Sequence, residues 1–279
     1  MIVVTGATGN VGRPLVQALT SAGEKVTAVS RRPSDTQAQA GVRHRQADLT
    51  EPESLKPSLD GADALFLLVA GGGEGVSASG ILDVAGAAGV RRVVLLSSQG
   101  AGTRPRSPSH APLRAFEDDL RHSGLQWTVL RPSGFASNAL LWAESVRARR
   151  TLAAPFPSVG LPVVDPADIG EVAAAVLRDA GHAGHTYELT GPSPVSPREQ
   201  TEAIGQALGT PVRFVEQSRD EARAQLLRFM PEPVVEGTLA ILGEPLAAEQ
   251  RVSPTVEQIL GRPARTFAQW AQRNIAAFR

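Results

Sequence analysis

Near its start the chain reads Thr5-Gly6-Ala7-Thr8-Gly9-Asn10-Val11-Gly12, with the apolar run Ile2–Thr5 before it. Val11, Leu15 and Leu19 follow at helical spacing, and Gly23 stops that helix. No other feature constrains the fold as strongly. Glycines spaced three apart let the backbone turn tightly between a buried strand and an amphipathic helix. The amides at the helix start then face whatever approaches, and an anion such as a pyrophosphate suits them. A glycine-rich loop by itself is also a plain strand-to-helix turn. The flanking elements favour the binding reading and make Gly6, Gly9 and Gly12 candidate binding residues.

The rest of the first two-thirds repeats this alternation. Lys25–Val29, Arg43–Gln46, Ala64–Ala70, Val93–Ser97 and Trp127–Arg131 read as strands. Ile81–Gly89 and Leu113–Ser123 read as helices between them. Strands alternating with helices at this spacing predict an α/β, Rossmann-type, doubly wound parallel sheet. After about Pro132 the pattern loosens, and Pro155, Pro157, Pro162 and Pro166 punctuate a long loop. Asp165-Pro166-Ala167-Asp168 opens a helix with a cap, a proline and an acid. Tyr187–Thr190 reads as a last strand. Ser196-Pro197-Arg198-Glu199 and Ser218-Arg219-Asp220-Glu221 are capping boxes in a mostly helical tail, which has one extended piece at Val212–Val215. The expected division is a nucleotide-binding domain over residues 1–155, completed by 163–190. Residues 191–279 would form a small, mostly helical substrate lobe.

Composition narrows the function. The 28 basic residues balance 28 acidic ones, so no net field would hold a nucleic-acid backbone or an anionic membrane. With no cysteine, thiolate catalysis and cysteine-held metal are excluded. Only Lys25 and Lys56 are lysine, so roles often held by lysine fall to arginine. Met1-Ile2-Val3-Val4 starts a strand with no basic n-region ahead of it, and the run Ala64–Ala70 is far short of a membrane span. A cytoplasmic protein with no nucleic-acid or membrane partner is expected.

The end of the second strand speaks to cofactor choice. A site for NAD places an acid there to bind the ribose hydroxyls. Here the residues are Ala28-Val29-Ser30-Arg31-Arg32. The acid is absent, and arginine suits the planar, bidentate grip on a 2′-phosphate. A solvated arginine pair is the plainer alternative; the two signs agree on NADP(H).

Thr5–Gly12, Arg31, the Ala47-Asp48-Leu49 turn and Arg131-Pro132-Ser133-Gly134-Phe135 together resemble the atypical short-chain dehydrogenase/reductases. Within them the likeness is to the NmrA-like group, which includes NADPH-dependent quinone oxidoreductases and redox-sensing regulators. It runs nearly end to end, since Asp165–Ile169, Tyr187–Gly191 and the helical tail also fit. The resemblance implies that Gly6, Thr8, Gly9, Asn10 and Val11 line the diphosphate. It places Arg31 on the 2′-phosphate with Arg32 behind it, and Asp48 and Leu49 beside the adenine. Val69, Ala70 and Gly71 would pass under the ribose, and Ser97 would face the nicotinamide side. Phe135 and Asn138 would border the substrate, and a homodimer would be in keeping with the group.

One departure matters. Short-chain reductases carry Tyr-x-x-x-Lys, the tyrosine donating the proton. The matching positions here read His110-Ala111-Pro112-Leu113-Arg114, and the single tyrosine, Tyr187, lies in the expected last strand. An isolated ketone reduced without such an acid is a poor prospect, whereas a quinone or other conjugated carbonyl yields a stabilised anion. His110 could donate, an unperturbed imidazole having a pKa of ~6.5; otherwise it caps the following helix. Arg114 suits the cofactor ribose, and Ser97 with Ser98 could orient a carbonyl or merely end a strand. His182-Ala183-Gly184-His185 lacks a third ligand, so no metal is expected. Asp165 and Asp168 read as caps, Arg147-Ala148-Arg149-Arg150 as a solvated helix end, and Trp127, Trp142 and Trp270 as core or pocket wall. The leading expectation is an NADPH-dependent reductase of a small aromatic or quinone substrate, such as an aromatic polyketide intermediate. A non-catalytic NADP-binding sensor is the alternative, and an oxygenase-type tailoring enzyme a weaker one.

Overall fold

A computed structural model describes residues 1–32, 40–69, 73 and 75–279. Its strands are β1 (Ile2–Thr5), β2 (Val26–Ser30), β3 (Val42–Gln46), β4 (Ala64–Leu68), β5 (Arg92–Leu96), β6 (Gln126–Pro132), β7 (Thr151–Ala154), β8 (His185–Leu189) and β9 (Arg213–Glu216). Helices α1 (Gly12–Ser21), α2 (Lys56–Leu59), α3 (Ala78–Ala87), α4 (Gln99–Thr103), α5 (Ala111–His122), α6 (Ala143–Arg149) and α7 (Pro166–Arg178) accompany them. The tail adds α8 (Pro197–Leu208), α9 (Arg219–Leu226), α10 (Glu232–Gly243), α11 (Ala247–Gln250), α12 (Thr255–Leu260) and α13 (Phe267–Arg273).

Seven strands form one sheet in the order β3-β2-β1-β4-β5-β6-β8. The pairs from β3 through β6 are all parallel. The order reverses between β1 and β4, the place where a doubly wound sheet opens a crevice at its carboxyl edge. The expected Rossmann-type architecture is therefore the observed one. The chain divides into two compact units, residues 1–105 with 110–132 and 166–188, and residues 106–109 with 133–165 and 189–279.

In the first unit, alternation along the strands sets the core. Val3, Val29, Leu65, Leu67, Val93, Leu95 and Val129 share a cluster with Ile81 and Leu82 of α3 and Phe116 and Leu120 of α5. Elsewhere in the unit α1 and α7 meet backbone to backbone at Gly170. A Cβ there would lie 2.8 Å from the Leu15 nitrogen and 3.1 Å from the Pro14 carbonyl carbon. In the second unit, Val146, Leu152, Ile204, Phe267, Trp270 and Phe278 form a separate core.

The differences from the expected elements have local causes. Strand β4 ends at Leu68, short of Ala70, which with Gly71 lies outside the described residues. Helix α4 was not anticipated, because two glycines in five residues argue against a helix. It is held by Ser98, whose Oγ accepts from the Gly100 amide. Strand β7 lies within the stretch expected to be loop. It pairs in parallel with β9, some sixty residues later, a partnership no local pattern announces. The capping boxes at Ser196 and Ser218 form as expected. The run Arg147–Arg150, expected to be a solvated helix end, is exposed, yet Arg147 and Arg150 donate to the carbonyls of Ala277 and Phe278.

A buried ion cluster fastens α5 to the sheet. Glu117 is 1% exposed. It accepts from Arg131 Nε at 2.9 Å and Nη2 at 2.5 Å, from Arg121 at 2.8 Å and from Ser97 Oγ at 2.6 Å. Burial alone would raise the carboxyl's pKa, but the bonds from Arg131, Ser97 and Arg121 outweigh it and hold the pKa below the usual glutamate value. A folded-state pKa lowered in this way contributes stability that is fully present above the unfolded value of about 4.3. That contribution is lost as the pH falls through the lowered folded value. Melting temperature followed from pH 6 down to pH 3 should therefore fall less steeply for Glu117→Gln than for the native chain; parallel curves would show that the cluster contributes nothing.

Candidate cofactor and active site

The glycine loop closes on itself at atomic contact. Gly6 takes φ of +62°, a conformation that side chains rarely adopt. Its carbonyl accepts from the Gly9 amide at 3.0 Å. A Cβ on Gly12 would stand 2.1 Å from that same carbonyl oxygen and 2.7 Å from Ala7 Cα, so no other residue fits the first position of α1. Thr5 locks the loop's base to β4, its Oγ1 lying 3.1 Å from the Leu68 carbonyl and accepting from the Leu68 amide at 2.8 Å. Thr8 and Asn10 are exposed and Val11 is buried. Val11 is the N-cap of α1 and offers no side-chain bond, and no acid sits in the first turn, so the positive end of the helix is not neutralised from within. Loop and helix thus have the shape a diphosphate cradle needs: glycine where a Cβ would collide, and a helix start behind it whose Val11 amide is held at 3.1 Å by the neutral Asn10 side chain.

Beside this cradle, β2 ends at Ser30, and Arg31 and Arg32 follow it, both exposed. The Gln46 amide at the end of β3 donates to the Arg31 carbonyl at 3.1 Å and fixes the backbone there. Asp48 accepts from the Thr50 amide at 3.0 Å and the Thr50 hydroxyl at 2.9 Å. Those bonds, chiefly that from the Thr50 amide, hold its pKa below the usual aspartate value, and the Arg31 charge adds to the effect. Leu49 and Val69 are half-buried against the first unit's core. Among the described residues the end of β2 thus presents two exposed arginines, Arg31 and Arg32, a pair suited to a 2′-phosphate.

The far half of the site is built on α5. His110, Arg114, Glu117 and Arg121 follow one another by four, three and four residues and so share one helix face. His110 is the N-cap residue of α5 but makes no side-chain cap bond, so its capping role is not the one its imidazole plays. The ring lies over α4 instead: a Cβ on Gly100 would be 2.4 Å from His110 Nε2. Gly102 makes room in the same way for Arg131, whose Nη1 would stand 2.3 Å from a Cβ there. Arg114 is half-buried and donates to the Arg104 carbonyl at 3.4 Å. Ser97, one residue past β5, gives its hydroxyl hydrogen to Glu117.

The first unit therefore gathers the glycine loop, Arg31, Arg32, Asp48, Leu49, Val69, Ser97, His110 and Arg114 along the carboxyl edge of its strands and the adjoining start of α5. Phe135 and Asn138 lie in the second unit, at the start of a 3-10 turn spanning Ala136–Trp142. Tyr187 is remote from the carboxyl edge. Its hydroxyl meets His182 Nδ1 at 2.8 Å and His185 stacks on its ring, where Gly184 bonds Trp127 near the start of β6. Among the described residues no three His, Asp or Glu side chains gather as a metal site. None of their helices is long and apolar enough to cross a membrane.

Glu117, Gly100 and Gly102 were not among the residues singled out from sequence, and Arg131 stood out only as the first residue of the Arg131–Phe135 motif, with no role of its own. Glu117 stands in Glu117-Asp118-Asp119, which looks like a solvated acidic face. The signal was its place beside Phe116 and Leu120 on the apolar stripe, where an acid must find partners.

A family model described as NAD(P)H-binding matches residues 6–180. The chain is 37% identical over 282 residues to a (4-alkanoyl-5-oxo-2,5-dihydrofuran-3-yl)methyl phosphate reductase of Streptomyces griseus, covering 100% of this chain and 99% of that one. It is 32% identical over 288 residues to an NAD(P)H azoreductase of Xenophilus azovorans, again over 100% and 99%. Among solved structures it is similar to an NADPH-dependent quinone oxidoreductase of Escherichia coli in complex with NADPH. There the TM-score is 0.81 and the identity 25%, over 98% of this chain and 99% of that one. The chain belongs to the NAD(P)H-binding oxidoreductases of the atypical short-chain, NmrA-like family.

Proposed function

We propose that this protein is an NADPH-dependent reductase of quinones or similarly conjugated carbonyl compounds, aromatic polyketide intermediates among them. The observation that carries the reading is the polar stripe of α5. Where a short-chain reductase would hold tyrosine and lysine, this chain holds His110 and Arg114. The next acid along, Glu117, is ionised and enclosed by Arg131 and Arg121.

The glycine loop and α1 would hold the diphosphate, and Arg31 with Arg32 the 2′-phosphate. Bound there, NADPH supplies a hydride. What remains for the protein is to manage the negative charge left on the acceptor. An isolated ketone becomes a strongly basic alkoxide and needs a matched acid that protonates it in the same step; a quinone becomes a weakly basic phenolate, whose protonation a histidine can serve. Arg114 cannot serve as that acid, since a guanidinium does not give up its proton. His110 can, and Gly100 gives its ring the space to sit against α4. The names of the relatives fit such a site. A quinone, an azo bond and a dihydrofuran double bond conjugated with two carbonyls all accept hydride to give a delocalised anion.

The reading is tested by NADPH consumption with a panel of benzo- and naphthoquinones under limited oxygen; saturable turnover is expected, and tight cofactor binding with no turnover on any acceptor would overturn it. Arg31→Ala should lower the preference for NADPH over NADH, as a ratio of kcat/KM, by about tenfold or more. An unchanged ratio would remove Arg31 from the phosphate. His110→Ala should lower kcat by about a hundredfold, and Gly100→Ala should follow it by displacing an intact imidazole. A His110→Ala enzyme of native kcat would leave water as the proton source.

A further inference from the structure

The ion cluster under the end of β5 fixes more than the position of α5. Val93, Leu95 and Ser97 point to the face that α5 covers, as do Val129 and Arg131 on the neighbouring strand. Glu117 comes down between the two strand ends and takes a bond from each. The geometry points to Glu117 as a positioning residue that fixes Ser97 as a hydrogen-bond acceptor, so that Ser97 recognises the hydroxyl of a phenol, hydroquinone or enol. This inference rests on the reading that an aromatic acceptor lies at the carboxyl end of β5.

A serine hydroxyl has one hydrogen and two lone pairs. In Ser97 the hydrogen goes to Glu117 Oε1 at 2.6 Å, and the residue's amide is bonded to the Leu130 carbonyl at 2.8 Å. An ionised carboxylate has no hydrogen to return, and Arg131 and Arg121 keep Glu117 in that form. If Ser97 turned to donate elsewhere, a buried carboxylate oxygen would lose one of its donors. What Ser97 offers a ligand is therefore a lone pair. Its complement is an O–H, the group that appears where a quinone carbonyl has been reduced. Ser97 is matched to the reduced form of the substrate, not to its carbonyl.

Glutamine at 117 would reverse this at constant size. Its amide oxygen would remain under Arg131 Nη2 and Arg121, which share Oε2. Its nitrogen would take the place of Oε1, giving up the bond that Oε1 accepts from Arg131 Nε at 2.9 Å, donate to Ser97 and turn the serine hydrogen outward; the opposite flip would set the nitrogen against two donors, Arg131 Nη2 and Arg121.

The experiment is isothermal titration of the full-length protein, loaded with NADP+, with 1-naphthol, which donates an O–H, and with 1-methoxynaphthalene, which can only accept. The ratio of their dissociation constants should favour naphthol about five- to tenfold more in the native protein than in Ser97→Ala. In Glu117→Gln the ratio should move toward the ether. Equal ratios in the native and Ser97→Ala proteins, or a native preference for the ether, would overturn the inference and leave the proposed function standing. Binding of neither compound would overturn both. Should Glu117→Gln fail to fold, the comparison of the native protein with Ser97→Ala decides alone.

Discussion

There is no room for a side chain between the first residue of α1 and the carbonyl of Gly6. The rest of the first unit depends on that contact. It fixes how tightly the chain turns out of β1, and so where α1 begins relative to the sheet edge. Thr5 passes the constraint to β4 through its bonds at Leu68. Gly170 passes a second one from α1 to α7. Helices that meet backbone to backbone cannot slide without opening a void, so the cradle inherits the rigidity of the packed layer beneath it.

Two kinds of cation stand at the two ends of the candidate site. Arg31 and Arg32 stand in solvent at the end of β2, where their attraction is screened and each is free to turn toward a ligand. Arg131 is largely withdrawn from solvent against a carboxylate that is 1% exposed. Taking such a pair out of water is costly, and the energy recovered depends on satisfying every remaining lone pair. Glu117 meets that condition with four donors from three side chains. The surface arginines suit recognition of a mobile phosphate. The buried one suits holding neighbouring groups in a single arrangement.

Much of this was legible in the sequence. Alternating strands and helices gave the sheet, the glycine spacing gave the loop, and Ser196 and Ser218 marked helix starts through a chemistry that acts within four residues. What escaped notice depends on contacts between distant residues. Thr151–Ala154 becomes a strand because Arg213–Glu216 lies beside it. Gln99–Thr103 becomes a helix despite its glycines, and those glycines are there because His110 and Arg131 occupy the space their side chains would fill. A short-range propensity that looks wrong thus marks a place where something else is packed. His110 and Ser97 were visible as residue types, but what their polar atoms do depends on Gly100 and Glu117.

The polar stripe of α5 ties these points to chemistry. Holding histidine and arginine where short-chain reductases hold tyrosine and lysine, the helix offers an imidazole in place of a phenol whose acidity depends on a neighbouring cation. Charge on the same helix face is instead spent within the protein, between Glu117 and its two arginines. On the proposed function, a site so arranged would do little to stabilise a localised oxyanion. The burden of charge stabilisation would then fall on the substrate, and acceptors that delocalise an incoming electron pair carry it best. On the proposed function, selectivity for conjugated substrates would follow from what the protein withholds as much as from what it presents.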